Sequence, residues 1–117
     1  MRFLLVEDNA SFRSEIRSFL VGEFGIGTII AECEDGASAI EKMKLFKPDW
    51  IFMDIGLPGM DGLETTRRIT SSYPQANIII LTQYDEPAYR EEAIRAGAKE
   101  YILKEALDSL EAIIANI

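Results

Sequence analysis

At 117 residues, 48% of them hydrophobic, the chain has room for one buried core and not for two domains. Its 20 acidic residues outnumber 12 basic ones, and the net charge of −8 argues against nucleic acid or an anionic membrane as the direct ligand of this segment. No apolar run approaches a membrane span, charge interrupts the N-terminus before a signal peptide can form, and the single cysteine, Cys33, has no internal disulfide partner. A buried, inert thiol and a cytoplasmic location are the expectations.

In chain order, apolar runs alternate with helical stripes five times. Residues 2–6 suit a strand buried on both faces. From Asn9 to about Phe24, Phe12, Ile16, Phe19, Leu20 and Phe24 recur at helical spacing, and Gly25 supplies the stop. Residues 28–33 predict a second strand. Asp35-Gly36 opens a helix over Ala37–Phe46 that turns Ile40, Met43 and Phe46 inward and ends before Pro48. Residues 50–53 are the third strand, and I-G-L-P-G-M-D-G at 55–62 is a loop, since three glycines and a proline break either element. A helix over Leu63–Ser72, with Leu63, Thr66 and Ile69 on one side, precedes a fourth strand at 77–81. The next helix, about 86–96, has Pro87 in its first turn and Gly97 at its end. Strand five follows at about 100–103, then a last helix from about Ala106 that points Leu107, Leu110, Ile113, Ile114 and Ile117 inward.

Repeated strand–helix units imply right-handed crossovers with helices on both faces of a parallel sheet. The prediction is an α/β, doubly wound sheet of five parallel strands in the order 2-1-3-4-5 with five helices, one domain over residues 1–117.

In such a sheet the carboxyl ends of the strands share one edge, where ligands bind. Glu7-Asp8 follows F-L-L-V, Asp54 follows W-I-F-M, Thr82 follows I-I-I-L and Lys104 follows Y-I-L. Singly, each has a plain explanation: the aspartates as loop or cap residues, Thr82 as a turn residue, Lys104 as a solvated charge. Jointly they converge. Crowded carboxylate oxygens favour a hard cation and an adjacent ammonium favours a phosphate, which points to metal-assisted phosphoryl chemistry.

The motifs V-E-D at 6–8, M-D-I-G-L-P-G-M-D-G at 53–62, L-T at 81–82, G-A-K-E-Y at 97–101 and L-K at 103–104 resemble those of response-regulator receiver domains, which are flavodoxin-like. T-Q-Y-D-E and the L-K-E ending are most similar to receivers carrying a LuxR/NarL-type helix-turn-helix output domain. The resemblance implies Asp54 as phospho-acceptor from a sensor histidine kinase, and Mg²⁺ held by Asp8, Asp54 and the Gly56 carbonyl, with Glu7 acting through water. Lys104 would pair with phosphoryl oxygens, and Thr82 would donate its hydroxyl to them. The N–H groups of Gly56 and Gln83 are added donors. Tyr101 would be the switch aromatic, entering space that Thr82 leaves.

Two positions depart from the commoner pattern. Gly56, two beyond the acceptor, offers no side chain to the attacking water, whereas Tyr84, two beyond Thr82, is a large ring able to lean over the site. Glu105 after Lys104, where the family often has proline, removes the expectation of a cis peptide there. An aspartyl phosphatase of the haloacid dehalogenase type would need a second Asp where Gly56 stands, and a flavin binder would not place two carboxylates at a phosphate loop. A degenerate receiver that binds a partner without phosphorylation is the remaining alternative, disfavoured because none of the five site residues is replaced.

The resemblance also implies a domain cut from a longer regulator, with a stand-alone receiver as the alternative, DNA met only through an output domain absent from this chain, and no membrane contact. It further implies a phosphorylation-dependent homodimer, through the first and last helices (Ile113) or through a face bearing Glu91, Glu92 and Arg95.

Overall fold

The computed structural model describes residues 1–115. Strands β1 (Arg2–Val6), β2 (Ile29–Cys33), β3 (Trp50–Met53), β4 (Ile78–Thr82) and β5 (Glu100–Leu103) form one parallel sheet in the order β2-β1-β3-β4-β5. The expected topology is found. Five α-helices alternate with the strands: α1 (Ala10–Phe24), α2 (Gly36–Phe46), α3 (Gly62–Ser72), α4 (Pro87–Arg95) and α5 (Leu110–Ile114).

The period of two along each strand divides the core between the faces of the sheet. Leu4, Val6, Ile51, Met53, Ile78 and Ile80 pack with Ala39 and Met43 of α2, Leu63 and Ile69 of α3, and Ala93 of α4. Phe3, Leu5, Phe52, Ile79, Leu81 and Ile102 pack with Ile16 and Leu20 of α1 and Leu110 of α5. Both faces are therefore covered, as an all-parallel sheet requires. Cys33 lies in the first of these clusters, and burial pushes its thiol up to about 12, so it is unreactive at neutral pH.

Side-chain caps fix where three helices begin. The carboxamide or carboxylate oxygens of Asn9, Asp35 and Asp61 accept the N–H groups of Phe12, Ser38 and Glu64 at 2.9, 2.8 and 2.8 Å. Gly25, at φ 72°, ends α1, and Pro87 opens α4.

Some boundaries move. The expected loop over 55–62 loses its last residue: Gly62 is the first residue of α3, capped by Asp61. A short 3₁₀ turn, Gly25–Gly27, delays β2 to Ile29, and β4 runs from Ile78 to Thr82 instead of 77–81. The last helix differs most. Residues Lys104–Ser109 form a 3₁₀ segment, with Ala106 off helical geometry at φ −107°, ψ 32°, and the α-helix starts only at Leu110. Leu107, Leu110 and Ile113 recur every third residue, a spacing that stacks on a 3₁₀ helix as readily as on an α-helix. Leu110 is buried, with Leu107 and Ile113 partly buried against the same cluster. Ile117 and the Ile114 side chain lie outside the described residues. On α4, Arg95 pairs with Glu91 of its own helix at 3.7 Å.

Candidate functional site

Sheet register brings the strand ends together. Val6 pairs with Cys33 on one side and Met53 on the other, so Glu7 and Asp54 leave adjacent strands at the same level. Thr82 pairs with Leu103, and Lys104 follows immediately. Glu7, Asp8, Asn9, Asp54, Gly56, Gln83, Tyr84 and Lys104 line a cavity of about 360 Å³ at this edge. A cavity of similar size between α2 and β2, lined by residues such as Ser38, Glu41 and Lys42, has no comparable convergence of groups.

Asp54 is 6% exposed and Glu7 2%. One Asp54 oxygen, Oδ1, accepts the Ile55 N–H at 2.8 Å, and Oδ2 accepts from Lys104 Nζ at 3.3 Å. Glu7 Oε1 lies 2.7 Å from the same Nζ, while Oε2 accepts the Asn9 N–H at 3.0 Å. The Lys104 ammonium thus bridges the two buried carboxylates, and it stands 4.6 Å from the centroid of the Phe12 ring. Asp8, more exposed, completes an acidic trio whose ligand oxygens lie within 4.8 Å of one another.

Burial and the Asp54 charge lift Glu7 above its ordinary value. Burial works against the Lys104 charge, but the Glu7 hydrogen bond and the Asp54 carboxylate outweigh it and hold the ammonium above its usual range. Three carboxylates against one ammonium leave a surplus of negative charge when all are ionised. Hard oxygen donors at this spacing fit Mg²⁺, which takes a few carboxylates and keeps much of its water.

The other expected residues are placed as follows. Gly56 lines the cavity, and the Tyr84 ring lies over it: a Cβ at position 56 would stand 3.2 Å from the Tyr84 hydroxyl. Thr82 is fully buried and does not line the cavity. Its hydroxyl oxygen faces the Tyr84 N–H at 3.4 Å. Tyr101 is already inside, 5% exposed, with its hydroxyl donating to the Tyr84 carbonyl at 2.6 Å and the Arg90 guanidinium 4.8 Å from its ring centroid. Any rearrangement at Tyr101 thus starts from a buried ring. Burial pushes its phenol up to about 12.

Two neighbours of the site are not singled out by the sequence reading. Asn9 reads as the start of a helix, yet it also ties Glu7 to that helix. Phe12 reads as one more apolar residue of the α1 stripe. Its only signal is position, as the stripe member nearest the strand ends.

Comparison with known proteins agrees with this geometry. The family model described as "Response regulator receiver domain" matches residues 3–115. The "Transcriptional regulatory protein DegU" of Brevibacillus brevis is 31% identical over 105 residues, 90% of this chain and 44% of that protein. The "Oxygen regulatory protein NreC" of Staphylococcus aureus is 36% identical over 109 residues, 92% of this chain and 50% of that protein. The chain thus spans about half the length of these curated relatives. A LuxR-family two-component response regulator from Aurantimonas sp. SI85-9A1 superposes with a TM-score of 0.84 at 32% identity, over 98% of this chain and 85% of that one. A LuxR-family DNA-binding response regulator from Staphylococcus aureus gives 0.87 at 26% identity, over 98% and 96%.

Proposed function

Since this chain belongs to the response regulator receiver domain family, matched along residues 3–115, we propose that Asp54 accepts a phosphoryl group from a sensor histidine kinase and that the resulting acyl phosphate changes the domain's conformation to control an output. The observation that carries this reading is the convergence of Asp54, Glu7, Asp8 and Lys104 on one cavity.

In the transfer, an Asp54 carboxylate oxygen forms a bond to phosphorus while the bond from phosphorus to the imidazole nitrogen of a phosphohistidine breaks, its electron pair leaving with the imidazole. Charge then gathers on the phosphoryl oxygens, and stabilising it in a prearranged site is the main work of catalysis. Lys104, already 3.3 Å from Asp54, supplies a positive charge there. Mg²⁺, held by Asp8, Asp54 and the Gly56 carbonyl with Glu7 through water, would neutralise phosphoryl charge when bound. The Ile55 N–H keeps Asp54 Oδ1 in place. Thr82 can donate to the phosphoryl group only by turning its buried hydroxyl toward the cavity, and the adjoining Tyr84, Tyr101 and α4 segment would respond.

The names of the relatives, a transcriptional regulatory protein and DNA-binding response regulators, support an output in transcription, with DNA contacted outside this domain. The deciding experiment is incubation with a small phosphoramidate donor and Mg²⁺, followed by intact-mass measurement. The chain is expected to gain one phosphoryl group and Asp54→Asn none. Stable phosphorylation of Asp54→Asn, or none of the parent chain, overturns the assignment.

A further inference from the structure

Phe12 is the third residue of α1, and its place is fixed by a closed circuit of contacts. Its N–H donates to Asn9 Oδ1 at 2.9 Å, and the Asn9 N–H donates to Glu7 Oε2 at 3.0 Å. Glu7 Oε1 pairs with Lys104 Nζ at 2.7 Å, and that Nζ lies 4.6 Å from the centroid of the Phe12 ring. An ammonium within about 6 Å of an aromatic centroid is attracted by the negative face of the ring.

We infer that Phe12 is a positioning residue: its ring holds the Lys104 ammonium at the phosphoryl end of the cavity. The need for such a residue follows from the other partners. A lysine stem is flexible and its ammonium is drawn toward water unless something holds it. Glu7 and Asp54 hold it now, but these are carboxylates that a divalent cation or a phosphoryl group would engage. The ring is claimed by neither, so its attraction persists when the ionic partners are taken up. The Asn9 cap and the buried Glu7 keep the ring from drifting with the side chain it holds.

A plainer role is open to Phe12, because it also packs at the margin of the core under α1. Fluorination of the ring separates the two. One, two or three fluorines nearly preserve shape and apolar character while draining negative charge from the ring face. The inference rests on the phosphoryl-transfer reading, so the rate of phosphorylation by a small phosphoramidate with Mg²⁺ is measured across the series, beside the melting temperature.

A stepwise fall reaching about three- to tenfold at three fluorines is expected, the size of a partly desolvated cation–π contact, with melting little changed. Phe12→Leu should be slowed at least as much and Phe12→Trp should retain the rate. A flat series, or one in which the rate only follows melting, overturns the inference. The Lys104 ε-methylene protons supply a readout independent of phosphorylation: ring current should shift them upfield in the parent chain and not in Phe12→Leu. Equal shifts in both overturn the inference even if Asp54 is phosphorylated. A parent chain that takes no phosphoryl group yet shows the upfield shift would sink the transfer reading and leave the hold on Lys104 standing.

Discussion

Gly56 and Gly62 bracket the loop after Asp54, and the space beside each differs in kind. A Cβ at Gly62 would stand 1.8 Å from the Asp54 carbonyl oxygen and 2.8 Å from the Ile55 Cα, both backbone atoms at the start of that loop. The Gly62 N–H also donates to the Ile55 carbonyl at 2.8 Å, so α3 is seated directly on that loop. Gly62→Ala must therefore push the helix off the loop. A loss on the order of 3 kcal/mol or more is expected in urea unfolding, with phosphorylation impaired in whatever remains folded. At Gly56 the added methyl would meet the far end of the Tyr84 side chain, which can swing aside. Gly56→Ala should cost less than about 1 kcal/mol and show itself mainly as shifted Tyr84 ring signals in NMR. Equal losses in the two variants would refute this account of the loop.

Between elements, the strongest surface tie joins α1 to the edge strand β2. Arg13 Nε donates to Glu32 at 2.9 Å, Arg17 closes on the other Glu32 oxygen, and Arg13 also reaches the Glu7 carbonyl at 2.7 Å. The Arg17 hydrogen bond, aided by Arg13, holds the Glu32 carboxyl below its ordinary value. A carboxyl lowered on folding contributes stability above its unfolded pKa and loses it as pH falls through the folded one. Glu32→Gln should thus cost about 1 kcal/mol at neutral pH, a modest figure because the pair is partly solvated. The gap to the parent chain should narrow as the pH falls below the ordinary glutamate range. Urea midpoints that keep the same separation at neutral and at acid pH would show that Glu32 works by packing instead.

At this scale the sequence was informative where local chemistry decides and silent where tertiary contacts do. Asn9, Asp35, Gly25 and Pro87 mark helix ends by capping and backbone rules, and they appear where expected. The apolar runs before Glu7, Asp54, Thr82 and Lys104 mark four of the strands, and the doubly wound order expected of repeated strand–helix units brings their ends to one edge. The segment after Lys104 was misread because Leu107, Leu110 and Ile113 fit two helical periods. What decides between them is the Ala106 conformation and the hydrogen bond from Ser109 Oγ to the Ala106 carbonyl at 2.6 Å, neither of which is a pattern in the chain. Phe12 was legible as apolar and helical but not as a partner of Lys104, which is 92 positions later. Tyr101 was legible as a site neighbour, but its inward position depends on an acceptor, the Tyr84 carbonyl, that every residue possesses.

Across the whole molecule, the acidic trio gathers three carboxylates within 4.8 Å of one another in a chain already carrying a net charge of −8. Lys104 answers that charge from the residue just after β5, the strand at the opposite edge from β2. Removing the ammonium while keeping the stem, as in Lys104→Met, should lower the melting temperature without divalent cations, because Glu7 and Asp54 then repel unopposed. The same variant should gain more from added Mg²⁺ than the parent chain, since the cation no longer competes with an ammonium for those oxygens. Melting curves with and without Mg²⁺ decide the matter: an equal or smaller gain in Lys104→Met would mean that Lys104 and the cation do not share the carboxylates.

A polypeptide leaves the ribosome N-terminus first, so the carboxylates of Glu7, Asp8 and Asp54 are made well before the residue that balances them. The β1–β3 pairing sets Glu7 beside Asp54, whereas Lys104 is brought to them only through β4 and β5. Without β5 docked, that acidic edge lacks the ammonium that pairs with Glu7 and Asp54. The pocket is therefore completed only when β5 is in place, and a copy without β5 docked has Asp54 without the ammonium that pairs with it. If Asp54 accepts a phosphoryl group as proposed, its competence to do so then requires that β5 has docked.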